Sequence, residues 1–296
     1  MALNLHHLRI FARVAQEGGF TRAAKSLRLS QPAVSKAVRE LERQTGVPLL
    51  ERAGRATRLT AAGEALYARA RELFAVERSA EEELGALRGL SGGVLRVGAS
   101  TTVATYLLFP YLARFRQANP RVELRVSSAN THAIARALLE RRLDLALVEG
   151  PVRHPKIEVV PWREDELVVI APPTHRFATR RSIQLRELAL EPLIVREPGS
   201  GTRKVAERAL AEHQLTPTVA LQLGSTEAIK QAVAAGLGLA FVSRFAVEDQ
   251  VKLGRIAAVR VREAALSRSL TELRLRGRAP GPGAAAFREL LSESRG

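Results

Sequence analysis

Three features of the chain predict an α/β protein headed by a small helical module. Residues 1–60 carry short helical periodicities separated by tight turns. Residues 61–90 form one helical stretch without proline. From Val94 onward, short β-branched runs alternate with helical segments, the pattern of sheets covered by helices. With 296 residues the chain is too long for one ordinary core, so two or three domains are expected.

In the first region, Leu5, Leu8, Phe11 and Val14–Ala15 repeat at helical spacing, and Gly18-Gly19 ends that helix. Thr21 is placed to cap a second helix, Arg22–Leu27, whose small Ala23-Ala24 pair permits a close helix crossing. Arg28–Ser30 reads as a turn. Ser30 is a natural N-cap, and Pro32 falls in the first turn of the next helix, where no backbone donor is needed. That third helix is expected to run to about Gln44, with Val34, Val38 and Leu41 inward and Gln31, Ser35, Lys36, Arg39 and Arg43 outward. The outward face suits a DNA major groove: Gln and Arg form paired hydrogen bonds to base edges, while Ser and Lys hold phosphates. A solvated basic face is the plain alternative. Pro48–Thr60 reads as a hairpin wing, whose Arg52, Arg55 and Arg58 are placed for phosphates or the minor groove.

In the long stretch, Leu66, Leu73, Ala80 and Leu87 lie seven apart; Ala70 and Leu84 share the seam, which Glu77 interrupts. A heptad-like stripe predicts pairing with a helix of another chain, and packing on its own domain is the alternative. Ser91-Gly92-Gly93 ends it. Beyond lie candidate strands Val94–Gly98, Val122–Ser127, Asp144–Glu149, Glu166–Ala171, Leu193–Arg196, Val219–Leu223 and Leu239–Ser243. Candidate helices are Val103–Ala118, Ala133–Glu140, Arg203–Gln214 and Glu227–Ala235. The alternation argues for largely parallel sheets.

The formal net charge of +16 favours a polyanionic partner, and residues 1–60 hold eleven bases against four acids. Residues 1–22 lack a secretory pattern, and no apolar run approaches the ~18 residues of a membrane span, so a cytoplasmic protein without membrane contact is expected. There is no cysteine, and no two histidines stand at metal-binding helical spacing. No G-x-S-x-G elbow or P-loop occurs. Catalytic residues, metal and cofactor are therefore expected to be absent.

The run from Phe20 to Glu42 (FTRAAKSLRLSQPAVSKAVRELE), then Gly46–Arg52 (GVPLLER) and Leu59–Gly63 (LTAAG), resembles the signature of LysR-type transcriptional regulators. Leu50 stands where that family usually has Phe. The resemblance spans the chain. It implies an α/β protein with a winged helix-turn-helix over 1–60, a dimerising linker helix over 61–90 and an effector domain over 91–296. That domain would have two lobes like a periplasmic binding protein, lobe I about 94–163 plus 268–296 and lobe II about 164–267. The implied function is sequence-specific transcriptional regulation, with a double-stranded operator, a small effector, a homodimer or homotetramer and RNA polymerase as partners. The competing readings are an enzyme or ligand-binding protein with an accessory DNA-binding domain, and a structural DNA bender, which needs no cleft.

Polar clusters fall where strands give way to helices, the place where open α/β sheets hold ligands. They are Gly98–Thr102, Ser127–Thr131, Glu149-Gly150, Glu197–Arg203 and Gly224–Glu227. Hydroxyls and backbone N–H groups at helix starts favour anions, although ordinary capping explains any single one. Within the family, Asn130-Thr131, Val148–Gly150 and Pro198–Arg203 are similar to regulators of sulfur assimilation and carbon fixation. This implies a small anionic effector contacted by Ser100, Thr101, Thr102, Asn130, Thr131, Glu149, Ser200, Thr202 and Arg203. Val103, where sulfate-binding members often carry a polar residue, argues against a pure sulfate site.

Overall fold

The computed structural model describes residues 3–53, 56–87, 92–262 and 266–293. Its contacts divide the chain into two units, Met1–Glu81 and Glu82–Gly296.

The first unit begins with α1 (Leu5–Glu17), α2 (Phe20–Leu27) and α3 (Gln31–Thr45). Asn4 caps α1, accepting from the His6 and His7 amides, and Gly18 ends it in the left-handed conformation at φ 66°. Thr21 caps nothing: α2 starts at Phe20, its N-cap is Gly19, and Thr21 lies inside the helix. Phe20 packs against the core, which draws the helix start forward. Ser30 caps α3 as expected, its Oγ accepting from the Ala33 amide at 3.3 Å. Leu8, Phe11, Val14, Ala23, Val34, Val38 and Leu41 form one buried core. Strands β1 (Leu50–Ala53) and β2 (Ala56–Leu59) pair antiparallel as the wing.

The wing is tied down by specific groups. Glu42 Oε1 accepts from the amides of Leu49 and Leu50 at 2.8 and 3.1 Å. Thr60 Oγ1 donates to the Pro48 carbonyl at 2.7 Å and accepts from the Gly63 amide at 3.0 Å, opening helix α4 (Ala61–Leu87). A Cβ on Gly63 would lie 2.0 Å from the Leu49 carbonyl oxygen, so only glycine lets α4 pass this close to the wing.

The heptad reading of α4 needs correction. Leu66, Ala70 and Phe74 pack on the core of their own unit, and Glu77 pairs with Arg9 at 2.6 Å. The seam is thus two faces. One covers α1; the other leaves Leu73, Val76, Ala80 and Leu84 exposed. The spacing places position 87 in the seam too, but its side chain lies outside the described residues.

The second unit contains, in chain order, β3 (Gly93–Ser100), α5 (Thr101–Tyr106), α6 (Phe109–Ala118), β4 (Val122–Ala129), α7 (Thr131–Leu139), β5 (Leu145–Glu149), β6 (Ile157–Ala171), β7 (Ser182–Ile183), α8 (Leu185–Leu188), β8 (Leu193–Arg196), α9 (Gly201–Glu212), β9 (Val219–Leu223), α10 (Thr226–Ala234), β10 (Ala240–Ser243), α11 (Glu248–Lys252), β11 (Ala257–Val261), β12 (Ser267–Leu275) and α12 (Pro282–Ser292). The sequence predicts one helix over Val103–Ala118. It breaks at Leu107-Leu108 because Pro110 in the first turn of α6 cannot continue a helix.

The sheets are mixed, not largely parallel. β4, β3 and β5 are parallel, whereas β12 pairs antiparallel with β5 and β6, and β10 and β11 flank the far half of β6 antiparallel. β6 therefore belongs to both lobes. Its first half joins a sheet with apolar clusters around Leu95, Phe115 and Phe287 on one face and Ile134, Leu138 and Leu273 on the other. Its second half joins clusters around Phe177 and Leu193 and around Ile170 and Ile229. The β6–β12 register shifts between Leu270 and Thr271, opposite Arg163 and Pro161, where a bulge accommodates a proline within a strand.

Candidate functional site

On the first unit, Gln31, Lys36 and Arg39 are exposed and Ser35 is half-buried, all on the outward side of α3. Arg39 Nε reaches back to the Ser35 carbonyl at 3.4 Å, leaving its guanidinium tip outward. Arg43, on the same helix, is held by Glu40, with Nε to Oε2 at 3.0 Å; that bond pulls the Glu40 carboxyl below its usual range. Arg58 is exposed on β2. The Arg52 side chain and residue Arg55 lie outside the described residues.

On the second unit, buried polar side chains meet where the lobes adjoin. Thr102 Oγ1 donates to Glu149 Oε1 at 3.1 Å, and Thr131 Oγ1 donates to the Glu149 carbonyl at 2.8 Å. Arg268, from the crossover strand β12, donates through Nε to Asp165 Oδ2 at 2.7 Å and through Nη1 to Thr202 Oγ1 at 2.8 Å. Ser243 Oγ donates to Asp165 Oδ1 at 2.7 Å. From the end of β8, Arg196 donates to Thr226 Oγ1 at 3.1 Å, to Glu197 Oε2 at 2.8 Å and weakly to Thr101 Oγ1 at 3.5 Å. Burial pushes the Glu149 carboxyl above its usual range, against the pull of Arg268, Arg196 and the Thr102 hydroxyl. Ser100 Oγ and Glu149 Oε2 are buried without a protein hydrogen-bond partner.

The lobes touch through backbone at this point. A Cβ on Gly201 would fall 2.0 Å from the Glu149 carbonyl oxygen, and one on Gly150 would fall 2.8 Å from Gly201 Cα. The His132 amide donates to the Gly199 carbonyl at 3.2 Å, and Asn130 Nδ2 donates to the Pro198 carbonyl at 3.4 Å.

The expected effector residues therefore separate. Ser100, Thr102, Glu149 and Thr202 converge on the inter-lobe cluster, with Thr101 at its edge. Asn130 and Ser200 cap α7 and α9, accepting from the Ala133 and Arg203 amides, and Thr131 bonds the Glu149 backbone. Arg203 does not join the cluster. Its guanidinium binds Glu207 one turn on, Gln222 Oε1 and the Arg196 carbonyl. There it borders a cavity of about 260 Å³ lined by Leu193, Ala206, Leu210, Val219 and Phe241.

Sequence reasoning missed Arg196, Arg268, Asp165 and Lys230. Lys230 is buried beside the Tyr106–Glu227 hydroxyl–carboxylate pair, with Nζ 2.6 Å from Glu227 and 2.8 Å from the Ala246 carbonyl. The signal available was a charge inside an apolar run, as at Arg196 after Leu193-Ile194-Val195.

Comparison with known proteins bears on both regions. Residues 5–64 match the model of the bacterial regulatory helix-turn-helix protein, lysR family, and residues 88–296 match the LysR substrate binding domain. A RuBisCO operon transcriptional regulator of Allochromatium vinosum is 38% identical over 295 residues, covering 99% of this chain and 97% of that protein. Full-length OxyR from Pseudomonas aeruginosa, solved as a Cys-to-Asp variant, superposes with a TM-score of 0.77 at 26% identity over 99% of this chain and 95% of that one. The regulatory domain of Synechocystis CcmR, solved in complex with 2-PG, gives a TM-score of 0.65 at 28% identity over 69% of this chain and 97% of that one. Among the described residues, no helix is long and apolar enough to cross a membrane. With its helix-turn-helix matched at one end and its effector-binding domain at the other, the chain belongs to the LysR family of bacterial transcriptional regulators.

Proposed function

We propose that this regulator reads its operator with the outward face of α3 and the wing, and that a small anion held between its lobes controls it. On the DNA side, Gln31, Ser35 and Arg39 address base edges, while Lys36, Arg52, Arg55 and Arg58 address phosphates or the minor groove. The exposed Leu73, Val76, Ala80 and Leu84 supply an apolar stripe for α4 to pair with a second copy, giving dimers and, through further contacts, tetramers. RNA polymerase is the onward partner and the cytoplasm the site of action.

The observation that carries the effector reading is the buried inter-lobe cluster, in which Arg268 on the crossover strand reaches Thr202 in the first turn of α9. A ligand that engages Thr102, Thr202 and Arg268 together favours one arrangement of the lobes over another, which is the condition for control. The 2-PG named for the CcmR domain and the carbon-fixation regulator among the relatives favour a carboxylated or phosphorylated metabolite. Calorimetry on the full-length protein with sulfate, sulfite, phosphate, 2-phosphoglycolate and 3-phosphoglycerate tests this. At least one anion is expected to bind, and Thr102→Ala and Thr202→Ala each to weaken it. Binding indifferent to both substitutions overturns the site.

A further inference from the structure

We infer that the effector carries a hydrogen-bond donor, a hydroxyl, close to its anionic group, and that Glu149 selects for it. The inference rests on the inter-lobe anion site proposed above and names the class of molecule that fits it: a hydroxy acid, or a phosphorylated acid that keeps a free hydroxyl, in preference to a bare oxyanion.

The first support is geometric. Glu149 is the last residue of β5 and is 1% exposed. Oε1 accepts from Thr102, but Oε2 is fully buried and accepts from no protein group. A carboxylate oxygen can only accept, and leaving it without a donor in a dry site is costly. Oε2 therefore awaits a group that donates to it; the Ser100 hydroxyl, at the end of the neighbouring strand β3 and 0% exposed, is a second buried polar atom without a protein partner.

The second support is electrostatic. The two arginines near Glu149 already have their own counter-ions. Arg268 lies 2.7 Å from Asp165, although its Nη2 makes no hydrogen bond within the protein and keeps a donor for an anion, and Arg196 lies 2.8 Å from Glu197. Glu149 is the surplus carboxylate of the group. A dianion without hydrogen, such as sulfate, would set its oxygens against Oε2 and enlarge that surplus. A ligand with a hydroxyl beside its acid turns the same contact into a charge-assisted hydrogen bond.

The test is calorimetry on the full-length protein with ligand pairs that differ by one hydroxyl: glycolate with acetate, and 3-phosphoglycerate with 3-(phosphooxy)propionate. Sulfate serves as the donor-free dianion. The hydroxylated member should bind about tenfold or more tightly. In Glu149→Gln, whose amide donates where Oε2 accepts, the preference should vanish and sulfate should gain affinity. Because the pairs compare ligands on the unaltered protein, the result does not depend on that variant folding. Equal affinity within both pairs overturns the donor reading and leaves the anion site standing. So does tight sulfate binding with uptake of one proton, measured in buffers of different ionisation enthalpy, because Glu149 then supplies the hydrogen itself. Glycerol binding that is lost in Glu149→Gln, with no anion bound, upholds the donor and overturns the anion. Silence from every probe overturns both.

Discussion

The outward face of α3 and the inter-lobe cluster make opposite use of the same residue types. Both lie beside a serine-capped helix start, Ser30 for α3 and Ser200 for α9. On α3 the polar side chains stay in water, and the arginine nearest the middle of the face, Arg39, bonds its own helix backbone. Between the lobes, Arg268 and Arg196 are 5% and 3% exposed, and every bond they make crosses to another element or fixes a strand end. An exposed polar face is free to be spent on a partner and contributes little to stability. A buried one must be satisfied internally first, so each change there tests folding and binding together.

Five tests sharpen that contrast. Arg268→Met should have the largest effect. It leaves Asp165 buried with only the Ser243 hydroxyl, at a cost of about 3–5 kcal/mol in chemical unfolding of the second unit. A loss below about 1 kcal/mol would show that the cluster is more hydrated than its burial implies. Ser35→Ala and Arg39→Ala should leave melting temperature unchanged and cost roughly 1–3 kcal/mol of operator discrimination each. A footprint that survives Gln31, Ser35 and Arg39 all changed to Ala would remove α3 as the reading element. Leu73→Glu combined with Leu84→Glu should convert the protein to monomers by light scattering and weaken operator binding, because two half-sites need two heads. Persistence of the dimer would place the pairing surface elsewhere. Ser30→Ala should cost about 1 kcal/mol of stability in the first unit, from loss of the cap on the Ala33 amide. Smaller still, Arg43→Ala should leave both melting temperature and operator discrimination unmoved, since its partner Glu40 also stands at the surface.

The same contrast explains what was legible. The first unit could be read residue by residue because its rules are local: the left-handed Gly18, the Ser30 cap, Pro32 in a first turn and an apolar face at helical spacing. Strands Leu193–Arg196 and Val219–Leu223 were equally plain. The first half of β6 was not, because Pro161, Trp162, Arg163 and Glu164 interrupt the apolar alternation at the bulge. The Asp165–Arg268 pair joins residues 103 apart through a register that no local pattern encodes. Arg203 misled for a related reason. A helix-start loop was recognised, but which way its side chains turn was decided by Glu207 and Gln222. The α4 stripe is plain in the sequence, but its two faces are not separable there, because Glu77 is matched by Arg9, 68 residues away.

The meeting of Gly150 and Gly201 has a mechanical meaning. Where lobes close on side chains, each substitution in the cleft changes how far they travel. Here main chain meets main chain, with Gly201 so near the Glu149 carbonyl that a single methyl group would not fit. The spacing of the two main chains at this point is therefore set by backbone alone, and the side chains around it can change without moving it.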